Sequence, residues 1–86
     1  MKSSGTNEFW QLYRELPEAV RKATRRTYRV WRDNPRASSL RFKKVREAYS
    51  IRIAKTGYRA VAVEVPDGFL WIWIGPHDEY ERLLKR

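Results

Sequence analysis

FKKVREAYSIRIAKTGYRAVAVEVPDGFLWIWIGPHDEY, running from Phe42 to Tyr80, decides the fold. Its apolar residues recur with a period of two, the mark of half-buried strands: Leu40 and Phe42 alternate with Arg41 and Lys43, and Tyr49, Ile51 and Ile53 alternate with Ser50, Arg52 and Ala54. Gly57 falls in a turn, after which Tyr58 to Val65 reads as the next strand. Pro66-Asp67-Gly68 is a turn signal joining that strand to Phe69–Ile74 as a hairpin. The run FLWIWI has no polar face, so it belongs in the middle of a sheet, covered on both sides. Gly75-Pro76 then ends the strand and starts a terminal helix, with Asp78, Glu79 and Glu81 near its positive end and Lys85 and Arg86 at its negative end.

Upstream the period changes to that of a helix. Met1 to Gly5 is polar and expected to be short of structure, leaving at most a brief edge strand before Thr6. Thr6 or Asn7 caps a helix with Glu8 in its first turn and Phe9, Leu12, Tyr13 and Leu16 on one face. Pro17 suits a first helical position, and Val20, Ala23, Thr27, Val30 and Trp31 form the stripe of a longer helix that Asn34-Pro35 stops. The two helices make a hairpin that must lay its apolar stripe on something, and the sheet provides the surface. The expected class is α+β: an N-terminal helical hairpin packed on a small, mainly four-stranded antiparallel sheet, with a short C-terminal helix.

With 86 residues the chain is one small domain, residues 1–86, and its 42% hydrophobic content and four Trp supply a core. There is no Cys, so a disulfide framework and a thiolate metal site are excluded, and a reducing cytoplasm is the expected home. The N-terminus lacks the apolar run of a signal peptide, and Phe69–Ile74 is too short to cross a bilayer, so no membrane role is expected. Nineteen basic against ten acidic residues leave a net charge of +9, a field that draws in polyanions, with nucleic acid foremost.

The charge has chemistry in it. Arg52 and Ser50 point away from the face carrying Ile51 and Ile53, because strand side chains alternate. Arg59 opens the next strand across the Lys55-Thr56-Gly57 turn, so Arg52 and Arg59 can converge. Each guanidinium offers a planar fork that matches phosphate oxygens, although each also reads as a solvated strand residue or a partner of Glu47 or Glu64. His77 and Tyr80 lie three apart at a helix start and supply a group that moves protons near neutrality and a hydroxyl. With an Arg they cover the parts needed to cleave RNA by attack of the 2′-hydroxyl, a scheme that needs no metal or small-molecule cofactor. Asp78 and Glu79 would repel a phosphate unless they face away, and a His in a first turn is often only a cap. His77 and Glu81 at i and i+4 lack the further His or Cys that would complete a metal site.

Arg21, Lys22, Arg25, Arg26, Arg29 and Arg32 put six cations on the second helix with no acid among them, which favours an RNA counter-surface or a solvated face. Trp71 and Trp73 share a strand face in this reading, for core packing or for stacking bases.

A helical hairpin followed by NPR (Asn34–Arg36), LRFKKV (Leu40–Val45), AYSIRI (Ala48–Ile53), GYRAV (Gly57–Val61), the PDG hairpin and IGPHDEY (Ile74–Tyr80) resembles the RelE/ParE superfamily of toxins from bacterial and archaeal toxin-antitoxin modules. The RelE-like branch implies cleavage of mRNA in the ribosomal A site without metal, and inhibition by a cognate antitoxin, here expected to be acidic. By that resemblance Arg59 is the phosphate-stabilising arginine, and Arg52 helps activate the nucleophile or steady the phosphate. Tyr80 orients the substrate and His77 is the acid or base. Ser50 stands where RelE has a second strand lysine, so Lys43 or Lys44 would supply that charge. Lys43, Lys44, Arg21, Arg25, Arg29 and Arg32 are the expected RNA contacts. Two other functions stay open: a ParE-like inhibitor of DNA gyrase, which has no need of His77 and Tyr80, and a non-catalytic basic RNA-binding module.

Overall fold

Thr6 starts the first helix, its Oγ1 accepting a hydrogen bond from the Phe9 N–H at 3.1 Å, one of the N-terminal donors that the helix itself leaves unpaired. The structure is a computed structural model that describes residues 2–53 and 55–84; Met1, Ala54, Lys85 and Arg86 lie outside the described residues, and with them the strand end expected at Ala54 and the helix-end cations. In chain order the elements are β1 (Lys2–Gly5), α1 (Asn7–Arg14), α2 (Glu18–Asp33), a single 3₁₀ turn (Ser38–Leu40), β2 (Lys43–Val45), β3 (Ala48–Ile53), β4 (Tyr58–Val65), β5 (Gly68–Pro76) and α3 (His77–Leu84).

The sheet has five strands in the order β1-β5-β4-β3-β2. Four pair antiparallel as expected, and β1 adds a fifth, parallel to β5, from Lys2 opposite Gly68 to Gly5 opposite Trp71. The polar segment before Thr6 is thus a brief edge strand: β5 is long and apolar, and its outer edge needs backbone partners that a Ser-Ser-Gly segment supplies without demanding burial.

Three local expectations are corrected. Pro17 is the residue before α2, with φ −55° and ψ 149°, so the helix begins at Glu18. Leu40 sits in the 3₁₀ turn and Phe42 just ahead of β2, because Arg41 adopts the left-handed region at φ 49° and breaks the alternation there. Val30 is 42% exposed, since at helical pitch it falls beside the stripe of Val20, Ala23, Thr27 and Trp31 rather than in it.

Residues opposite one another in an antiparallel pair share a face, so the register sorts the sheet. Ile51, Ile53, Ala60, Ala62, Trp71 and Ile74 face α1 and α2 and form the core. Trp31, 1% exposed, is its hub, meeting Phe42, Phe69 and Trp71 edge-on with ring centroids 5.9, 5.6 and 5.3 Å away. The opposite face carries Ser50, Arg52, Arg59, Val61, Trp73 and Gly75, and α3 lies over its β4–β5 side. A register shift in β5 splits its two tryptophans: Val61 pairs with Trp73 and the next residue, Ala62, with Trp71. Trp71 and Trp73 therefore occupy opposite faces, not one, because the extra residue Ile72 reverses the alternation between them. β5 is covered by α1 on one side and α3 on the other, although Leu70, Ile72 and Trp73 remain half-buried. Among the described residues no helix is long and apolar enough to cross a membrane.

Truncating Trp31 to Ala leaves a cavity at the hub of the aromatic cluster, and the expected loss is about 3–5 kcal/mol of unfolding free energy, read from chemical denaturation followed by circular dichroism.

Candidate active site

The β3–β4 register sets Arg52 directly opposite Arg59, and Arg59 is in turn opposite Gly75 of β5. α3 begins immediately after β5, and the His77 N–H donates to the Gly57 carbonyl at 2.9 Å. That bond ties the helix start to the β3–β4 turn, where Gly57 has φ 77°, a conformation that costs a residue with a side chain more than it costs glycine. The imidazole is thereby placed against the end of the sheet that carries the two guanidiniums.

Arg59 is held from two sides. Its Nε–H donates to His77 Nδ1 at 3.0 Å, and its guanidinium carbon lies 5.2 Å from the centroid of the Tyr80 ring, in the range of a cation–π contact. Its Nη1 is buried with no hydrogen-bond partner among the described residues. A buried donor left unpaired costs about 1–3 kcal/mol, and Arg52 across the strand adds like-charge repulsion. An anion seated between the two guanidiniums relieves both. Arg52 is half-buried and makes no hydrogen bond or ion pair among the described residues.

His77 stacks on Tyr80 with centroids 5.9 Å apart and planes 29° from parallel, and its Nε2 lies 2.8 Å from Glu81 Oε1. Its side chain is 45% exposed and so reachable by a substrate. Tyr80, by contrast, is 4% exposed and lies 6.4 Å from the Trp73 ring. Its ring is a platform under Arg59 and beside His77, and that burial leaves little of it to touch a large ligand.

Arg52, Arg59, His77 and Tyr80 thus come together, as the sequence reading expects. Lys43 and Lys44 separate: Lys43 pairs with Ser50 and shares the face of Arg52, whereas Lys44 pairs with Tyr49 and points to the helix side. Arg21, Arg25, Arg29 and Arg32 do not join the site, because α2 packs on the other face of the sheet. Their charge is also less bare than the linear sequence implies. Arg21 donates to the Arg14 carbonyl, Arg25 to the Tyr13 hydroxyl at 2.8 Å, and Arg32 lies 3.5 Å from Asp33 while Lys22 lies 3.8 Å from Glu18. Of the two acids beside His77, Glu79 does not turn away: its Oε2 is 3.4 Å from the position a Cβ would take on Gly75.

Two members of the site escape the sequence reading. Gly75 is bare because a Cβ there would stand 2.6 Å from a ring carbon of Trp73, whose indole folds across it toward Tyr80. Glu81 enters the sequence reading as a helix-start acid and as half of a metal pair; its i,i+4 spacing from His77 is the signal that finds it as a hydrogen-bond partner. Among the described residues no group of three or more His, Cys, Asp or Glu side chains could hold a metal ion.

No protein-family model matches the chain, and no curated protein matches it. Solved structures do. A chain of the RelB-RelE antitoxin-toxin complex from Methanococcus jannaschii superposes with a TM-score of 0.70 at 14% identity, over 92% of this chain and 95% of that one. The isolated RelE toxin of E. coli gives 0.66 at 19% identity, over 98% and 95%. A chain of the archaeal RelE-RelB complex from Pyrococcus horikoshii gives 0.69 at 12%, over 87% and 92%. The fold is that of RelE, with the additional edge strand β1 leaving the class unchanged.

Replacing Gly75 by Ala forces the Trp73 indole off the sheet; the expected result is a loss of about 1–3 kcal/mol of stability, with a changed tryptophan emission spectrum as the check.

Proposed function

We propose that this chain is the toxin of a toxin-antitoxin module and acts as a metal-independent endoribonuclease on ribosome-bound mRNA. The observation that carries the reading is Arg59: a guanidinium fixed between an imidazole and an aromatic ring, with a buried donor still to satisfy and a second guanidinium opposite. The likeness of fold to RelE supports the toxin class, and the grouping of Arg, His and Tyr favours a nuclease over a gyrase inhibitor, which has no use for it.

In the proposed reaction Arg59 and Arg52 grip the scissile phosphate and stabilise the charge that builds on its oxygens. His77 Nδ1 takes the proton of the 2′-hydroxyl, whose oxygen forms a bond to phosphorus as the bond to the 5′-oxygen breaks. The leaving 5′-oxygen takes a proton from water, and the products are a 2′,3′-cyclic phosphate and a 5′-hydroxyl. Tyr80 acts by holding Arg59 and His77 in place. Lys43, on the same face, offers a charge to a neighbouring phosphate of the strand.

The cations of α2 lie one sheet thickness away and serve a different partner surface, for which ribosomal RNA is the proposed match. Between α1, α2 and the sheet runs a groove of about 400 Å³, whose lining includes Trp10, Tyr13 and Tyr28 together with Arg25, Arg29 and Arg32. An acidic, amphipathic antitoxin segment suits that groove, its apolar side inward and its carboxylates on the arginines. Such an antitoxin would compete with ribosomal RNA for the same cations.

Tightly controlled expression with mapping of mRNA 5′ ends tests the reading. Wild-type chain is expected to arrest translation and leave cuts, whereas Arg59→Ala lowers the cleavage rate by about 10²–10³-fold and His77→Ala by about 10²-fold or more. Growth arrest that persists in both variants together with a DNA-damage response would replace the nuclease by a gyrase poison. Paired Arg25→Glu and Arg29→Glu substitutions are expected to weaken ribosome co-sedimentation and flatten its dependence on salt, because fewer phosphates are neutralised, while leaving circular dichroism unchanged.

A further inference from the structure

Both nitrogens of the His77 ring are engaged. Arg59 Nε can only donate, so Nδ1 is the acceptor of the 3.0 Å bond between them. The neutral ring then carries its own hydrogen on Nε2 and donates it to Glu81 at 2.8 Å. A general base needs a free lone pair, and the single one on this imidazole is covered by Arg59. A proton arriving at Nδ1 while Arg59 remained there would set two N–H donors and two cations against each other.

Arg59 has reason to leave. Its Nη1 lacks a partner among the described residues, and Arg52 stands directly across from it. A phosphodiester offers two non-bridging oxygens that share a negative charge in the geometry of the guanidinium fork, a stronger acceptor than a neutral ring nitrogen. Glu81 faces the other ring nitrogen, Asp78 and Glu79 follow His77 in the first turn of α3 with Glu79 near Gly75, and Arg52 stands opposite Arg59 on the sheet.

We propose that the phosphodiester itself unmasks the base: bound phosphate draws the Arg59 fork off His77 Nδ1, and Glu81 steadies the imidazolium that forms. The inference rests on the nuclease reading above. In it the O–H bond of the 2′-hydroxyl breaks, the proton goes to the lone pair that Arg59 has vacated, and the oxygen keeps the electron pair with which it attacks phosphorus. Glu81 is a positioning residue; it holds Nε2–H and so keeps Nδ1 facing the sheet. A site built this way stays inert until substrate is seated, and it couples recognition of the phosphate to activation of the nucleophile.

The full chain, labelled with ¹⁵N, is titrated with an RNA oligonucleotide methylated at every 2′-oxygen, which binds and cannot be cut. The Arg59 Nε–H and His77 Nδ1 resonances are expected to shift together on binding, with His77 remaining the Nε2–H tautomer. In Arg59→Ala the His77 Nδ1 resonance starts at the unbonded position and does not move. In turnover of mRNA on programmed ribosomes, Glu81→Ala is expected to lower kcat about tenfold or more with KM little changed, and Glu81→Gln, which keeps the acceptor oxygen, to recover part of the loss. Glu81 is 55% exposed, so neither variant threatens folding. An Arg59 Nε–H resonance that stays put at saturating oligonucleotide overturns the proposal, as does full kcat in Glu81→Ala. A chain that cuts no ribosome-bound mRNA sinks the nuclease reading instead, and the inert oligonucleotide still decides whether Arg59 moves.

Discussion

A single backbone hydrogen bond, His77 N–H to the Gly57 carbonyl at 2.9 Å, holds the site together. It joins the start of α3 to the turn between β3 and β4, two segments that the chain separates by the whole β4–β5 hairpin. The buried Tyr80 ring lays α3 on the sheet against Trp73 and Arg59, and this bond anchors the helix start that carries the imidazole. Gly57 at φ 77° aims the carbonyl, and the bare strand at Gly75 leaves room for the Trp73 ring that packs beside Tyr80. The chemistry is therefore positioned by backbone and aromatic surfaces rather than by a network of buried ion pairs.

The two faces of the sheet divide the labour. One face is sealed by α1 and α2 over a cluster of rings around Trp31, and the apolar area buried there is the main source of stability. Buried polar atoms without a partner among the described residues lie on both faces, the Trp31 and Trp71 indole N–H groups in the core and Arg59 Nη1 and the Ser50 hydroxyl on the other face, which alone adds opposed guanidiniums. The same division separates α2 and its arginines from the site, so one small basic chain presents two cationic surfaces that face away from each other.

Much of the fold was legible before any coordinates. Period-two alternation marked β3 and β4, Pro66-Asp67-Gly68 marked the hairpin, and Thr6, Pro17 and Asn34-Pro35 punctuated the helices, because each of these signals is local. What escaped was non-local or hung on one residue's backbone. β1, which the polar sequence allowed at most as a brief edge strand, forms because the edge of β5 needs partners. Arg41 in the left-handed region cut Leu40 and Phe42 out of the second strand, and one extra residue at Ile72 sent Trp71 and Trp73 to opposite faces. At the site, the pairing of Arg52 with Arg59 followed from strand alternation and a short turn, whereas the contact of Arg59 with His77 and the role of Glu81 did not.

By itself, the order of amino acids determined the element types, the cationic character and the short list of residues able to handle a phosphate, since charge, alternation and turn chemistry are properties of neighbours in the chain. Only the tertiary structure decided which cations share a surface. The face on which a side chain emerges depends on register and on every bulge before it, and a shift of one residue exchanges inside for outside. Lys43 and Lys44 are adjacent in sequence and face opposite sides of the sheet, while Arg59 and His77, eighteen positions apart, touch.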